Sequence, residues 1–273
     1  MRLLHRCVLL GIVLWTSALS SQAQELPIVD AHIHYSQPDW QAYTPEQILA
    51  IFDAAGVRRA LVSSTPDEGT LKLYAAAPQR IVPFLRPYRS RTDMSGWHSD
   101  TAVQAYIEAR LQRGVYKGIG EFHLSAAHVE APVVQRCAEL AVQQQLFLHA
   151  HVDDNTMERL LQRYPQTRFL WAHAGMSASA AAVERLLTRS SHLWVELSLR
   201  GDVAPGGTLD PAWRALFERF PDRFMVGTDT WMTSRWQVLA DGMQQTRHWL
   251  AQLPREVAEQ LAFRNAERLF GTP

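Results

Sequence analysis

The feature that most restricts the fold of this 273-residue chain is a regular alternation of two kinds of segment. Short runs rich in β-branched and aromatic residues recur between residues 28 and 231: "IVDAHIHY", "RALVSST", "IVPFLRPY", "YKGIGEFHL", "LFLHAHV", "RFLWAHAG", "LWVELSLR" and "RFMVGTDTW". Between them lie longer stretches with helical spacing. In "TPEQILAIFDAAGV", Thr44 can cap and Pro45 can take the first turn, with Ile48, Leu49, Phe52 and Val57 on one face. "DTAVQAYIEARLQRG", "APVVQRCAELAVQQ", "NTMERLLQRYP", "SASAAAVERLLTRS" and "LDPAWRALFERFP" have the same character. Eight strands alternating with helices over roughly 250 residues predict a single-domain α/β fold, the (β/α)8 TIM barrel. A doubly wound open sheet shares the alternation, but no G-x-G-x-x-G follows the first strand to support a dinucleotide fold.

The first residues stand apart from this rhythm. Arg2 and Arg6 precede an apolar stretch from Cys7 to Leu19, followed by small and polar residues ending in "SQAQ", the layout of a secretory signal peptide. The apolar stretch is too short for a spanning helix, which needs about 20 residues. The expected division is therefore a signal peptide over 1–23, cleaved after Ala23, and a barrel domain over 24–273, which makes the mature protein secreted or periplasmic. Cleavage removes two arginines and no acid, so the formal charge moves from 0 to −2. A near-neutral chain without a basic run lacks the footprint of a nucleic-acid binder. Cleavage also removes Cys7 and leaves Cys137 without a disulfide partner, so stability must come from the core. No later segment is apolar enough to span a membrane.

Acids and histidines gather at the C-terminal ends of the strand runs, the edge on which barrel active sites are built. His32 and His34 end the first run, Glu121 and His123 the fourth, His149 and His151 the fifth, His173 the sixth and Asp229 the eighth. Residues i and i+2 of a strand share a face about 6–7 Å apart, so the two imidazoles of H-x-H can converge on one ion. Another histidine, His149 or His151, and the carboxylate of Asp229 can complete the set from across the mouth. Imidazoles with one acid suit zinc or a related divalent cation, and such an ion lowers the pKa of water to about 7. His98, His128, His192 and His248 lie in loop-like or helical surroundings and read as structural.

Taken together, "DAHIHY", "LFLHAH", "LWAHAG", "MVGTD" and the closing "LAFRNAERLFG" resemble the amidohydrolase superfamily, more narrowly the amidohydrolase-2 group. The resemblance implies a metal-dependent barrel enzyme with His32, His34, His149 and Asp229 as ligands, His151 competing with His149 for the fifth-strand place. It implies that Asp229 also takes the proton from attacking water. His173 contacts water or substrate, or binds a second ion. Glu121 resembles the fourth-strand glutamate that holds a second metal in TatD-type deoxyribonucleases, so one or two ions are expected. Lys117, four residues earlier and about 13 Å lower, is too deep to take that part.

Arg86, Arg200 and Trp231 are expected at the same mouth as substrate-binding residues, and an arginine would suit a carboxylate-bearing small molecule. The loop over residues 89–101 is the candidate lid. Asp30 is expected on the face of His32, one layer deeper, supporting the site by hydrogen bonding. The chemistry expected is hydrolysis of an amide, lactone or ester carbonyl. A decarboxylase with the same ligands and a noncatalytic periplasmic binder are the alternatives. A homo-oligomer is compatible with the sequence, which sets no oligomeric state.

Overall fold

The computed structural model describes residues 25–272; the expected signal peptide lies outside them. Eight parallel strands pair in sequence order: β1 (Ile28–Ile33), β2 (Val57–Val62), β3 (Ile81–Leu85), β4 (Gly118–His123), β5 (Phe147–His151), β6 (Arg168–Trp171), β7 (Leu193–Glu196) and β8 (Phe224–Met225). The sheet closes on itself where Ile33 bridges Thr230, with Ala31 N–H donating to Val226 O and His34 N–H to Thr230 O, both at 2.9 Å. The (β/α)8 barrel read from the alternation is the fold. No helix among the described residues is long and apolar enough to cross a membrane.

Helices α1 (Pro45–Ala55), α2 (Glu68–Ala76), α3 (Thr101–Leu111), α4 (Pro132–Gln143), α5 (Asp154–Arg163), α6 (Ala180–Arg189), α7 (Pro211–Arg219) and α8 (Leu239–Leu250) cover the strands. The start of α1 follows its sequence signals. Thr44 accepts a hydrogen bond from Gln47 N–H, the Gln47 side chain accepts from Thr44 N–H, and Ile48 and Phe52 are fully buried. Each such burial contributes about 1.5–3 kcal/mol. Gly56, at φ 63°, ends the helix, so Val57 opens β2 instead of extending the helical face.

The sequence reading did not single out α2 or α8. In α2 a glycine replaces a packing residue for a local reason: a Cβ on Gly69 would run into the Tyr35 carbonyl oxygen, so only glycine lets the helix approach the chain leaving β1. The eighth strand is shorter than expected, and beyond Met225 the chain turns with Asp229 at φ 49°.

Inside the barrel the side chains form two layers. The lower is apolar, built from Val29, Ala31, Leu61, Val82, Phe84, Phe147, Leu170, Trp194 and Met225. It is closed by helix α10 (Asn265–Phe270), which follows α9 (Arg255–Glu259) and a π-helical turn. Phe270 of α10 meets Phe147 and Phe84 edge-on at 5.1 and 5.7 Å between ring centres. The upper layer is polar, and it is the floor of the site.

Candidate metal centre

Two irregularities decide which residues face inward in the upper layer. The pairing of β1 with β2 slips between Asp30 and Ile33, and that of β4 with β5 slips between Gly120 and Phe122. Each slip moves the following residues by one face. His32 and His34 therefore turn inward after Ala31, and Glu121 turns inward after Gly120. Gly120 has φ 130°, and a Cβ there would strike the His149 carbonyl oxygen. Asp30 is consequently not on the face of His32. Its carboxylate accepts from His32 N–H at 3.1 Å, Thr228 N–H at 3.0 Å and the Thr228 hydroxyl at 2.7 Å. It ties β1 to the turn that carries Asp229. Burial pushes its carboxyl up to about 7, against the pull of the Thr228 hydrogen bonds.

Three imidazoles present the same nitrogen to the barrel axis. His32 Nδ1–H donates to Glu196 Oε1 at 2.9 Å, His34 Nδ1–H donates to Ser63 O, and His173 Nδ1–H donates to Ser198 O at 3.1 Å. Carboxylate and carbonyl oxygens only accept, so in the neutral rings these bonds place the proton on Nδ1 and leave Nε2 with a lone pair. The His32 and His34 Nε2 atoms lie 3.0 Å apart. Asp229 Oδ1 is 3.5 and 3.3 Å from them, and Glu121 Oε2 is 3.7 and 3.3 Å. His173 Nε2 lies 3.5 Å from Glu121 Oε1 and 3.9 Å from Asp229 Oδ2, and it is buried without a hydrogen-bond partner.

This set fits a divalent cation. Two lone pairs 3.0 Å apart repel unless something positive lies between them, and ligand bonds near 2 Å place donors about 3–4 Å from one another. The field has the same sense. Burial disfavours a charged His32, yet Asp229, Glu121 and Glu196 raise its pKa well above the ordinary value, the mark of a strongly negative potential. Burial likewise opposes ionised Asp229, but His32 and His34 hold its carboxyl at about 2. Glu121 is held well below the usual carboxylate range by His32 and Arg86, in spite of its burial.

The expected residues divide as follows. His32, His34, His173, Glu121 and Asp229 come together. His149, preferred for the fifth-strand ligand, sits beneath them: its Nε2 is 3.9 Å from Glu196 Oε1, its ring packs edge-on against Phe84, and burial lowers its pKa to about 4. His151 Nδ1–H donates to Glu121 Oε1 at 2.7 Å, nearer the rim. Beside His32 and His34, His173 is the imidazole whose Nε2 lies within 3.9 Å of both the Glu121 and the Asp229 carboxylates, and His149 Nε2 is likewise buried without a hydrogen-bond partner. Lys117 precedes β4 and is exposed, far from the rim as expected.

The Arg200 guanidinium is turned into the protein. It donates to the carbonyls of His173, Ala174 and Ala178 at 3.2, 2.9 and 2.8 Å, and to both Asp202 carboxylate oxygens at 2.7 Å. All five of its N–H groups are taken. The carbonyls it binds belong to a turn in which His173, Ala174, Gly175 and Met176 all have positive φ, so Arg200 holds His173 in an uncommon backbone conformation. Arg86 donates to Glu121 Oε2 at 2.6 Å and is committed to that carboxylate. Trp231, 42% exposed, lies at the cavity mouth as expected. The loop over 89–101 is folded as two short 3-10 turns and pinned by buried Trp97, whose Nε1–H donates to His123 O at 2.9 Å.

Sequence reasoning missed Glu196. It is fully buried on β7 and accepts from His32 Nδ1–H, His173 N–H at 2.7 Å and Ser198 N–H at 2.7 Å. Burial works against its charge, but His32 and His173 hold it well below the usual carboxylate range. A signal was present, since "LWVELSLR" carries an acid, Glu196, after three strand-like residues, at the same edge as the acids and histidines of the other strands.

The cavity above the set has a volume of about 500 Å³ and is lined by His34, Arg86, Arg91, Glu121, His151 and Asp229 among others. Met94, Leu199, Trp231 and Met232 are at least 36% exposed and edge the same mouth.

A (β/α)8 barrel whose strand ends converge imidazoles and carboxylates on one point defines the class of metal-dependent barrel hydrolases. The amidohydrolase family model matches residues 97–272, and the chain belongs to the amidohydrolase-2 family, an enzyme of the hydrolase kind whose family implies a divalent metal. No curated protein sequence matches it. Among solved structures, an Acinetobacter baumannii protein named as a probable 2-pyrone-4,6-dicarboxylic acid hydrolase, with citric acid bound, is similar at a TM-score of 0.64 and 14% identity, over 89% of this chain and 99% of that one. A Pseudomonas putida protein of the same provisional designation is similar at 0.62 and 20% identity, over 90% and 98%. An amidohydrolase of Burkholderia multivorans with bound zinc is similar at 0.56 and 14% identity, over 90% and 100%. At these identities the likeness is one of fold.

Proposed function

We propose that this chain is an exported, zinc-dependent hydrolase that opens a lactone, ester or amide bond in a small, carboxylate-bearing molecule with an apolar body. The observation that carries the reading is the convergence of three Nε2 lone pairs and two carboxylates on the floor of one cavity. His32, His34, His173 and Asp229 would hold the ion, with Glu121 beside it. When bound, the ion supplies Lewis acidity and makes water acidic enough to lose a proton near neutral pH.

The chain's own groups do the rest. Asp229 is a carboxylate at every working pH and accepts the proton of the attacking water at an Oδ atom. His173, with Nδ1–H committed to Ser198, offers a lone pair at Nε2 and so holds the ion or accepts a hydrogen bond from water. Because Arg86 is engaged by Glu121, Arg91 is the guanidinium at the mouth left to meet a substrate carboxylate. Met94, Leu199, Trp231 and Met232 would cover the substrate's apolar body. The name borne by two of the fold relatives supports lactones with carboxylate substituents as the first compounds to try.

A panel of lactones, esters and amides, each with and without a carboxylate, tests this with chelator-treated and zinc-restored protein. Turnover of carboxylate-bearing lactones or esters is expected only after restoration. Release of carbon dioxide without hydrolysis would replace the reading with a decarboxylase, and tight metal binding with no turnover would replace it with a binding protein. Export rests on Arg2, Arg6 and the apolar stretch from Cys7 to Leu19. Amino-terminal sequencing of the protein recovered from outside the cytoplasm should begin at Gln24; a chain still starting at Met1 would contradict it.

A further inference from the structure

The described sulfur atoms fall into two groups. Met157, Met225 and Met243 are at most 1% exposed. So is Cys137, whose thiol is pushed up to about 12 by burial, so that no thiolate is offered to solvent. Met94, Met176 and Met232, by contrast, are 36, 47 and 40% exposed. All three stand on loops that follow strands, after β3, β6 and β8, at the edge where the donor set lies. Met94 and Met232 line the cavity above that set, and Met94 and Met176 line an adjoining cleft that shares the His123 and His151 walls. Among the described residues, the accessible sulfurs are therefore thioethers gathered at one mouth.

The loops that carry them fix this exposure. Met94 lies in the short turn between the Ser90 cap, whose hydroxyl accepts from Thr92 N–H at 3.3 Å, and buried Trp97. Met176 closes the positive-φ turn whose flanking carbonyls, Ala174 and Ala178, are held by Arg200 at 2.9 and 2.8 Å. Met232 precedes Thr233, whose hydroxyl donates to the buried Asp39 Oδ1 at 2.8 Å. Each thioether is thus presented to solvent by a pinned backbone. A sulfoxide is polar where a thioether is apolar, and the change is reversible.

We propose that Met94, Met176 and Met232 form a reversible oxidation site at the cavity mouth, through which peroxide turns the apolar rim polar and weakens its hold on an apolar molecule. A sulfur lone pair attacks one peroxide oxygen, the S–O bond forms and the O–O bond breaks. The departing hydroxide takes the proton left on the transferred oxygen and leaves as water. Sulfur is oxidised by two electrons and the peroxide is reduced by two. Methionine sulfoxide reductases with a dithiol reverse the step, the oxygen leaving as water and the dithiol becoming a disulfide. The consequence for a substrate rests on the reading above, whereas the modification itself needs neither metal nor turnover.

Purified wild type and a variant carrying Met94→Leu, Met176→Leu and Met232→Leu are treated with hydrogen peroxide, and peptide mass spectrometry follows oxygen gain at each methionine. The probe of the mouth is anilinonaphthalene sulfonate, an apolar ring body with one anionic group, read by its fluorescence. In wild type the three mouth methionines should be oxidised in the folded protein, and Met157, Met225 and Met243 only after unfolding in urea. Dye binding to wild type should weaken about 10-fold, the order expected when a polar group is left uncompensated against an apolar one. Peroxide should leave dye binding by the leucine variant unchanged. Equal oxidation of mouth and buried methionines, no dye binding by untreated wild type, undiminished binding after oxidation, or the same loss in the leucine variant would each overturn the proposal. Should the leucine variant fail to fold, oxidised wild type is treated with reductases for both sulfoxide epimers and a dithiol. Dye binding should return, and a persistent loss would overturn the proposal. Absence of turnover on the lactone, ester and amide panel would sink the hydrolase reading and leave these results standing, so the two fail separately.

Discussion

Replacing Asp229 by Asn should lower kcat/KM by about 10³-fold, within the range of 10² to 10⁴ that a positioned acid or base contributes. The carboxylate is brought to the mouth by a turn with positive φ, held by Asp229 N–H donating to His32 O at 2.8 Å. His32 and His34 keep it ionised against its burial, so a proton acceptor is available beside the place from which water would attack. Asn has the same shape and cannot accept that proton. The backbone contacts that position residue 229 do not involve its carboxylate, so the turn should keep its place, while loss of the ion pairs with His32 and His34 should lower the melting temperature modestly. Hydrolysis rates at saturating zinc, together with a melting curve, check the claim; a variant retaining a tenth or more of the wild-type rate would remove Asp229 from the proton-accepting role.

The second large effect is expected at Glu196, which touches no substrate-facing surface. Its carboxylate accepts from His32 Nδ1–H, His173 N–H and Ser198 N–H, and so sets both the tautomer of one imidazole and the position of the residue bearing another. A glutamine there keeps the shape but offers one oxygen and an amide that must donate toward groups that are themselves donors. Supporting residues of this kind are worth 10- to 100-fold in metal affinity or activity, and a zinc dissociation constant about 10- to 100-fold weaker is expected for Glu196→Gln. Competition with a chromogenic chelator measures it. An unchanged constant in the folded variant would mean that His32 does not depend on Glu196 for its orientation.

How far the sequence reaches is visible in these residues. The barrel was legible because its signals are local: alternation of strand-like and helical segments, Thr44 and Pro45 opening α1, and His32, His34, His173 and Asp229 at strand ends. The side-chain faces were less so. Strand alternation gives the inward set only while pairing stays in register, and the slips at Asp30–Ile33 and Gly120–Phe122 depend on neighbouring strands. Strict alternation from His32 therefore puts Asp30 on the inner face, and the slip takes it off. His149 was preferred by position along β5, yet its place one layer below the donor set depends on where β6 and β7 bring His173 and Glu196. Arg86 and Arg200 read alike as cations at the mouth. Only the folded chain supplies Glu121 to one, and the turn carbonyls around His173 to the other.

The imidazoles at the ends of β1 and β6 and the carboxylate after β8 together fit a cation. Metal content of the purified protein tests it most directly, compared between wild type and a chain carrying His32→Ala together with His34→Ala. The geometry predicts bound divalent metal in the wild-type chain and none in the folded double variant. Equal metal content in the two would contradict it.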